Sequence, residues 1–193
     1  IWNHQIEPPW NSNYTSNINV QMNYWPVELV NLSECHEPML KMIEELAQAG
    51  RRTAKIHYGT RGWTAHHNVD LWRMTNPSGG EASWASWPMG GLWLTSHLWE
   101  HYLFTRDEEF LRERAYPVMR EAALFAIDWL VEGPGGKLTT APSTSPENKF
   151  RTASGEPCST AYGSAMDLTL IRDVLDHCIQ SASLLGLGGE ESA

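Results

Sequence analysis

A chain of 193 residues with 41% hydrophobic side chains has room for one domain, or a large piece of one, and enough apolar surface for a core; a disordered composition is excluded. Its net charge of −9, without any Lys/Arg-rich run, argues against nucleic acid as a partner, and no apolar stretch approaches the ~18–20 residues of a membrane span. Ile1-Trp2-Asn3-His4 carries no signal peptide and begins like the middle of a longer protein.

Residues 1–16, with Pro8, Pro9 and several Asn and Ser, read as an irregular lead-in. A helix is expected from Asn17 to about Val30, with Asn17 or Asn19 near its start and a break or kink at Pro26, which costs about 3 kcal/mol inside an ideal helix. Ser33 is a good N-cap for a second helix running to about His57, where Gly59 stops it. Leu40, Ile43, Ala47 and Ala54 share one face of it while charges take the other, so it should pack on one side only. Residues 59–86 are punctuated by glycines and Pro77 and have no period. Such a long connection in a compact domain is disordered or functional, and Trp63, His66, His67, Asn68, Asp70, Trp72 and Arg73 are not a disordered composition.

From Pro88 to about Phe104 the chain is apolar nearly all round, as in a helix buried on most sides. After a turn at Thr105-Arg106-Asp107, Leu111, Ala115, Val118, Ala122, Phe125 and Trp129 form the clearest helical stripe, with Pro117 a possible kink and Gly133-Pro134-Gly135-Gly136 the end. A brief strand at Lys137–Thr140 and a Pro/Ser-rich loop to about Ser159 follow. A last helix, about Thr160–Leu185, carries Leu168, Ile171, Leu175, Cys178, Ala182 and Leu185 on its apolar stripe, and Gly188-Gly189-Glu190-Glu191 follows it. Fully apolar helices alternating with one-faced ones imply two concentric layers. The fold class expected is all-α, part of an (α/α) barrel over residues 1–193 with long polar loops between helix pairs, its closing helices missing or supplied elsewhere.

Several groups could carry chemistry. The segment Asn17–Trp25 packs three Asn and a Gln between aromatics, which suits either a helix start or a polar pocket that uses amide donors and acceptors. Ten tryptophans suit either a core or a site that stacks on the C–H faces of sugar rings. Glu147, pinned in Pro142–Asn148 by two prolines, is either a surface carboxylate or a general acid, a role that demands fixed position. Asn17 and Asn19 are not bases, but their carbonyl oxygens can hold a water. His66-His67 with Asp70 lack a third ligand at convincing spacing, and Cys35, Cys158 and Cys178 lack CxxC spacing. No metal, disulfide framework or cofactor is expected. His97 and His101 share a helix face and read as core or pocket lining.

Taken together, Asn17–Pro26 (NINVQMNYWP), Gly62–Arg73 (GWTAHHNVDLWR), Trp87–Tyr102 (WPMGGLWLTSHLWEHY), Ala141–Phe150 (APSTSPENKF) and Met166–Asp173 (MDLTLIRD) resemble glycoside hydrolase family 95. That is the 1,2-α-L-fucosidase family, which hydrolyses with inversion in an (α/α)6 barrel. Five blocks in order, spanning almost the whole chain, make the likeness specific. The resemblance implies Glu147 as general acid and Asn17 and Asn19 as holders of the attacking water. It implies a fucosylated glycan as partner and Thr15, His66, His67, Trp84 and Trp87 as substrate-binding residues. In the family a carboxylate nearer the C-terminus activates the two amides; it lies beyond this chain, as do the remaining barrel helices, so the isolated chain is expected to be inactive. Thr15 stands where fucosidase members often carry His, near the sugar's C6 group, which points to L-galactosides as an alternative. A glycan-binding module without turnover, or a purely structural helical fragment, are the readings from other classes.

Overall fold

A computed structural model describes residues 3–187; the Ile1-Trp2 start and the Gly188-Gly189-Glu190-Glu191 end lie outside the described residues. The lead-in contains a 3-10 turn, Pro9–Ser12, and then a two-residue strand, β1 (Tyr14–Thr15). The expected break at Pro26 divides the next segment into α1 (Asn19–Tyr24) and α2 (Pro26–Leu29), with proline in the first turn, where its missing N–H costs nothing.

Ser33 does not cap the next helix. Its hydroxyl donates to Glu28 Oε2 at 2.5 Å, and Ser33–Cys35 form a separate 3-10 turn. The helix itself, α3, runs Glu37–Thr53, widens into a π turn at Ala54–Tyr58 and stops at Gly59, whose φ of 66° is the left-handed stop expected of a glycine. Leu40, Ile43, Ala47 and Ala54 are all buried, as their spacing predicts.

The loop that follows includes β2 (Asn68–Val69), paired antiparallel with β1, and the single turn α4 (Ala82–Ala85). Then α5 (Gly90–Thr105) runs through the middle of the core, against α3, α7 (Tyr116–Trp129) and α8 (Ala165–Leu184). Apolar residues on every side of α5 have neighbours on almost every side; Leu103 and Phe104 at its end are exposed. Asp107 caps the short α6 (Glu108–Phe110), accepting from the Phe110 N–H at 2.9 Å. The backbone opens into a π turn at Leu111–Ala115 before α7 resumes. Pro117 offers no N–H and its ring crowds the carbonyl four residues back, so the disturbance foreseen at Pro117 lies upstream of it.

The stretch from Trp129 to Ala161 departs most from expectation. The α7 helix ends at Trp129, and Gly133–Gly136 turns a hairpin between β3 (Leu130–Glu132) and β4 (Leu138–Thr140) rather than ending a helix. The expected loop is a ladder: β5 (Ser143–Thr144) pairs with β8 (Thr160–Ala161), and β6 (Phe150–Arg151) pairs with β7 (Pro157–Cys158). Two-residue pairings carry no alternation to read. The fold is therefore helix-dominated, with four small antiparallel pairings among the described residues that an all-α reading leaves out.

The last helix starts five residues later than foreseen, capped by Ser164, whose Oγ accepts from the Asp167 N–H at 3.2 Å. Its inner stripe is rotated slightly. Leu168 is at the exposed edge, and Asp167 occupies the buried position beside Ile171 and Val174. Of the tryptophans, Trp63 and Trp87 are wholly buried in the core while Trp10 and Trp72 are open to solvent.

Candidate active site

The turn Ser16–Ile18 before α1 is held by the residue in front of the asparagines. Ser16 N–H donates to the His67 carbonyl at 2.7 Å, and its Oγ lies 2.7 and 2.9 Å from the carbonyl oxygens of His66 and His67, sharing one proton between them. Gln21 Nε2 donates back to the Ser16 carbonyl at 2.7 Å. The backbone approach is close enough that a Cβ on Gly90, at the start of α5, would fall 2.7 Å from the His66 carbonyl oxygen and 2.8 Å from Ser16 Oγ. Ser16, Gln21 and Gly90 thus fix the asparagine turn onto the His66-His67 segment, and β1–β2 pairing sets Thr15 opposite Asn68.

His67 is where the expected residues converge. Its side chain is 8% exposed, its ring centroid is 5.2 Å from that of Trp84, and its Nε2 is 3.8 Å from Glu147 Oε1. That distance is too long for a hydrogen bond, and the two form a charge pair only when His67 is protonated. Burial pushes the His67 pKa below its ordinary value while the Glu147 charge pulls it up. Neither ring nitrogen of His67 has a hydrogen-bond partner within the protein, and the same holds for buried Asn17 Oδ1 and Thr144 Oγ1. Buried polar atoms without protein partners cost about 1–3 kcal/mol each unless water or a ligand satisfies them. Asn19, at the first position of α1, is exposed.

Glu147 stands in the turn Ser145–Lys149 between β5 and β6. Asn148 N–H donates to the Ser145 carbonyl at 2.6 Å, and Lys149 Nζ is 2.5 Å from Glu81 Oε2 at the start of α4. The tight pocket foreseen round Glu147 is not formed by this chain, since its side chain is 63% exposed and only the His67 side is walled.

Two of the expected sugar contacts have no surface on which to act. His66 is fully buried, with Nδ1 donating to the Thr75 carbonyl at 2.7 Å and Nε2 accepting from the Tyr58 hydroxyl. Trp87 is fully buried, with Nε1 donating to Asp167 Oδ1 at 3.1 Å. Both stand behind the site as supports, because a ring with every polar atom bonded and no exposed edge cannot meet a ligand.

Burial lowers the His66 pKa from 6.5 to about 4, which keeps the ring neutral at pH 7. An unfolded chain takes up a proton below pH 6.5 that the folded one refuses, so stability falls as pH drops from 6.5 towards 4 and this contribution levels off below. Its size is on the order of 3 kcal/mol. Urea midpoints of the full-length protein at pH 7 and pH 4.5 measure the loss, and His66→Gln should flatten the slope between them. An unchanged slope would show that His66 is not its source.

Asp167 is the residue most clearly missed. Its Oδ1 accepts from Trp87, and its Oδ2 accepts from Thr140 Oγ1 at 3.0 Å and Ser143 Oγ at 2.7 Å, joining α8, α4–α5, β4 and β5 behind the Glu147 turn. The available signal was Ser164-x-x-Asp167 before an apolar run, a helix-start pattern that says nothing of where the carboxylate points. An open groove lined by Asn11, Asn13, Tyr14, Asp70 and Trp72 lies along the β1–β2 edge; none of the expected catalytic residues lines it.

The pattern of the glycosyl hydrolase family 95 catalytic domain matches residues 1–192. The chain belongs to this family. Relatives of the family 95 chain include alpha-L-fucosidase 2 of Arabidopsis thaliana, 46% identical over 96% of the chain and 22% of the relative. Another is the probable alpha-fucosidase A of Aspergillus niger, 32% identical over 96% of the chain and 23% of the relative. The chain thus spans less than a quarter of the length of these curated relatives.

Proposed function

We propose that this chain is the N-terminal part of the catalytic (α/α)6 barrel of an inverting α-L-fucosidase that removes terminal 1,2-linked α-L-fucosyl residues from glycans. The observation that carries the reading is the convergence on His67, in a family 95 chain, of the Ser16–Asn17 turn from one side and Glu147 and Trp84 from the other. Glu147 protonates the glycosidic oxygen as the bond to C1 breaks. A water held by the Asn17 and Asn19 carbonyl oxygens attacks C1 from the opposite face, which inverts the centre. Inverting enzymes keep their two functions about 6.5–9.5 Å apart to leave room for that water. A carboxylate and the closing helices come from the length that the relatives have beyond this match. Exposed Trp25, Leu29, Val30 and Trp72 are apolar surface for such helices to cover, and the half-open position of Glu147 is one wall of a cleft whose other wall they supply. His67, Thr15 and Trp84 remain the sugar contacts of this reading.

Thr15 favours a second reading within the family, an α-L-galactosidase, since its hydroxyl can bond the C6 hydroxyl that L-fucose lacks. NMR of the first product formed by the full-length protein tests both. Release of β-L-fucose from an α-1,2-fucosylated oligosaccharide is expected, and release of the α anomer overturns the inverting mechanism. Faster hydrolysis of a matched α-L-galactoside selects the second reading, and binding of either sugar without product reduces the chain to a glycan-binding module.

A further inference from the structure

A second polar cluster lies away from His67, between α2, the Ser33–Cys35 turn and α5. Glu28 Oε1 is 2.7 Å from both His36 Nδ1 and His101 Nδ1. The side chains of Glu28 and His36 are 1% exposed and that of His101 is 14% exposed. The carboxylate oxygen and the two imidazole nitrogens lie within 4.8 Å of one another. In sequence, His36 is eight residues from Glu28 and His101 is 73, so no spacing rule finds the group; the expectation of no metal rested on spacing alone.

Three features separate this group from an ordinary buried hydrogen-bond cluster. First, two neutral-imidazole nitrogens and one carboxylate oxygen are the ligand set that zinc and its first-row neighbours take, with bonds of about 2.0–2.2 Å. The present 2.7 Å contacts need to open by about 0.6–0.9 Å to become edges of a tetrahedron round such an ion. Second, the far ends of His36 and Glu28 are already held by hydrogen bonds, as metal sites require, and the His101 ring is held by packing. His36 Nε2 is 3.0 Å from His97 Nδ1, Glu28 Oε2 accepts from Ser33, and the His101 ring packs edge-on against Phe110 at 4.6 Å. With an ion on Nδ1, the His36 proton sits on Nε2 and donates to His97, so the pair shifts tautomer without gaining or losing a proton. Third, the surroundings are negative. Half-buried Glu100 feels the Glu28 charge, and among the described residues no lysine or arginine bonds to Glu28.

We propose that Glu28, His36 and His101 bind one divalent transition-metal ion of the zinc class, its fourth position taken by a water on the His101 side. The ion ties α2 and the chain entering α3 to the central helix α5. Through Pro26 it steadies α1, the helix that begins at Asn19. The assignment is independent of the proposed hydrolase chemistry.

The test uses the full-length protein stripped with a chelator, dialysed against zinc alone and then freed of excess. Mass spectrometry should find about one zinc per chain, and anomalous diffraction at the zinc edge should place it within bonding distance of the three atoms. His101→Gln, the least buried ligand and so the mildest change, should lose that ion. Zinc content near zero, an anomalous peak elsewhere, or equal zinc in His101→Gln overturns the site and leaves a hydrogen-bonded cluster. Should the variant fail to fold, cobalt(II) titration of the unaltered protein decides: visible absorption bands of a four-coordinate ion support the site, and their absence refutes it.

Discussion

In the full-length protein, Glu147→Gln should lower turnover of glycans by about 10²- to 10⁴-fold while leaving substrate binding in place. Glutamine keeps the shape and hydrogen-bonding reach of the side chain and removes only the proton to be delivered. The turn that carries residue 147 is fixed by Ser145–Asn148, by Lys149–Glu81 and by the β5–β8 pairing, none of which uses the Glu147 carboxyl. The variant therefore folds as the parent does, and the loss reads as chemistry. A fluoride leaving group needs no proton, so α-L-fucosyl fluoride should be spared most of the loss, and that contrast identifies a general acid rather than a binding residue. An unchanged kcat on glycans would remove Glu147 from the role. A rise in KM with kcat intact would make it a substrate contact instead.

Asp167→Ala should destabilise the fold by about 3–5 kcal/mol, a large share of a typical total of about 5–15 kcal/mol. Truncation leaves the Trp87 N–H and the Thr140 and Ser143 hydroxyls buried without their acceptor. Asp167→Asn should cost less, because one carbonyl oxygen remains and the hydroxyls can turn to accept from the new amide. The Asn variant also has a pH signature. Burial raises the Asp167 pKa above 3.8, so the folded chain holds this proton more readily than the unfolded one, and the ionised form weighs against stability as pH rises through that window. Removing the carboxylate should abolish that part of the pH slope, which runs opposite in sign to that of His66. Denaturant midpoints across pH for wild type and both variants measure these effects. Equal midpoints for Ala and wild type would show that Asp167 is not the joint described.

The consequence for the site is direct. Ser143 lies four residues before Glu147 and bonds to Asp167, whose other oxygen holds Trp87 three residues from Trp84. Loosening this one carboxylate loosens both walls about His67.

Much of the architecture was written in local pattern. The apolar stripes of α3, α5 and α7, the stop at Gly59 and the break at Pro26 all follow from side-chain period and backbone stereochemistry, which act over a few residues and need no knowledge of the rest of the chain. The five blocks likewise declared the family. Tertiary structure alone decided which polar residues face a ligand and which face the core. His66 and His67 are adjacent in sequence, yet one is enclosed by Tyr58 and Thr75 and the other lies beside Glu147. Ser33 looked like a cap and instead serves Glu28; Asp167, given no role by the sequence, binds three donors from three segments. The strand foreseen at Lys137–Thr140 is β4 (Leu138–Thr140), but the β5–β8 pairing and the Glu28-His36-His101 group were illegible. Each needs a partner far along the chain, Ala161 for Ser143 and His101 for Glu28, and a contact across such a separation leaves no period in the sequence.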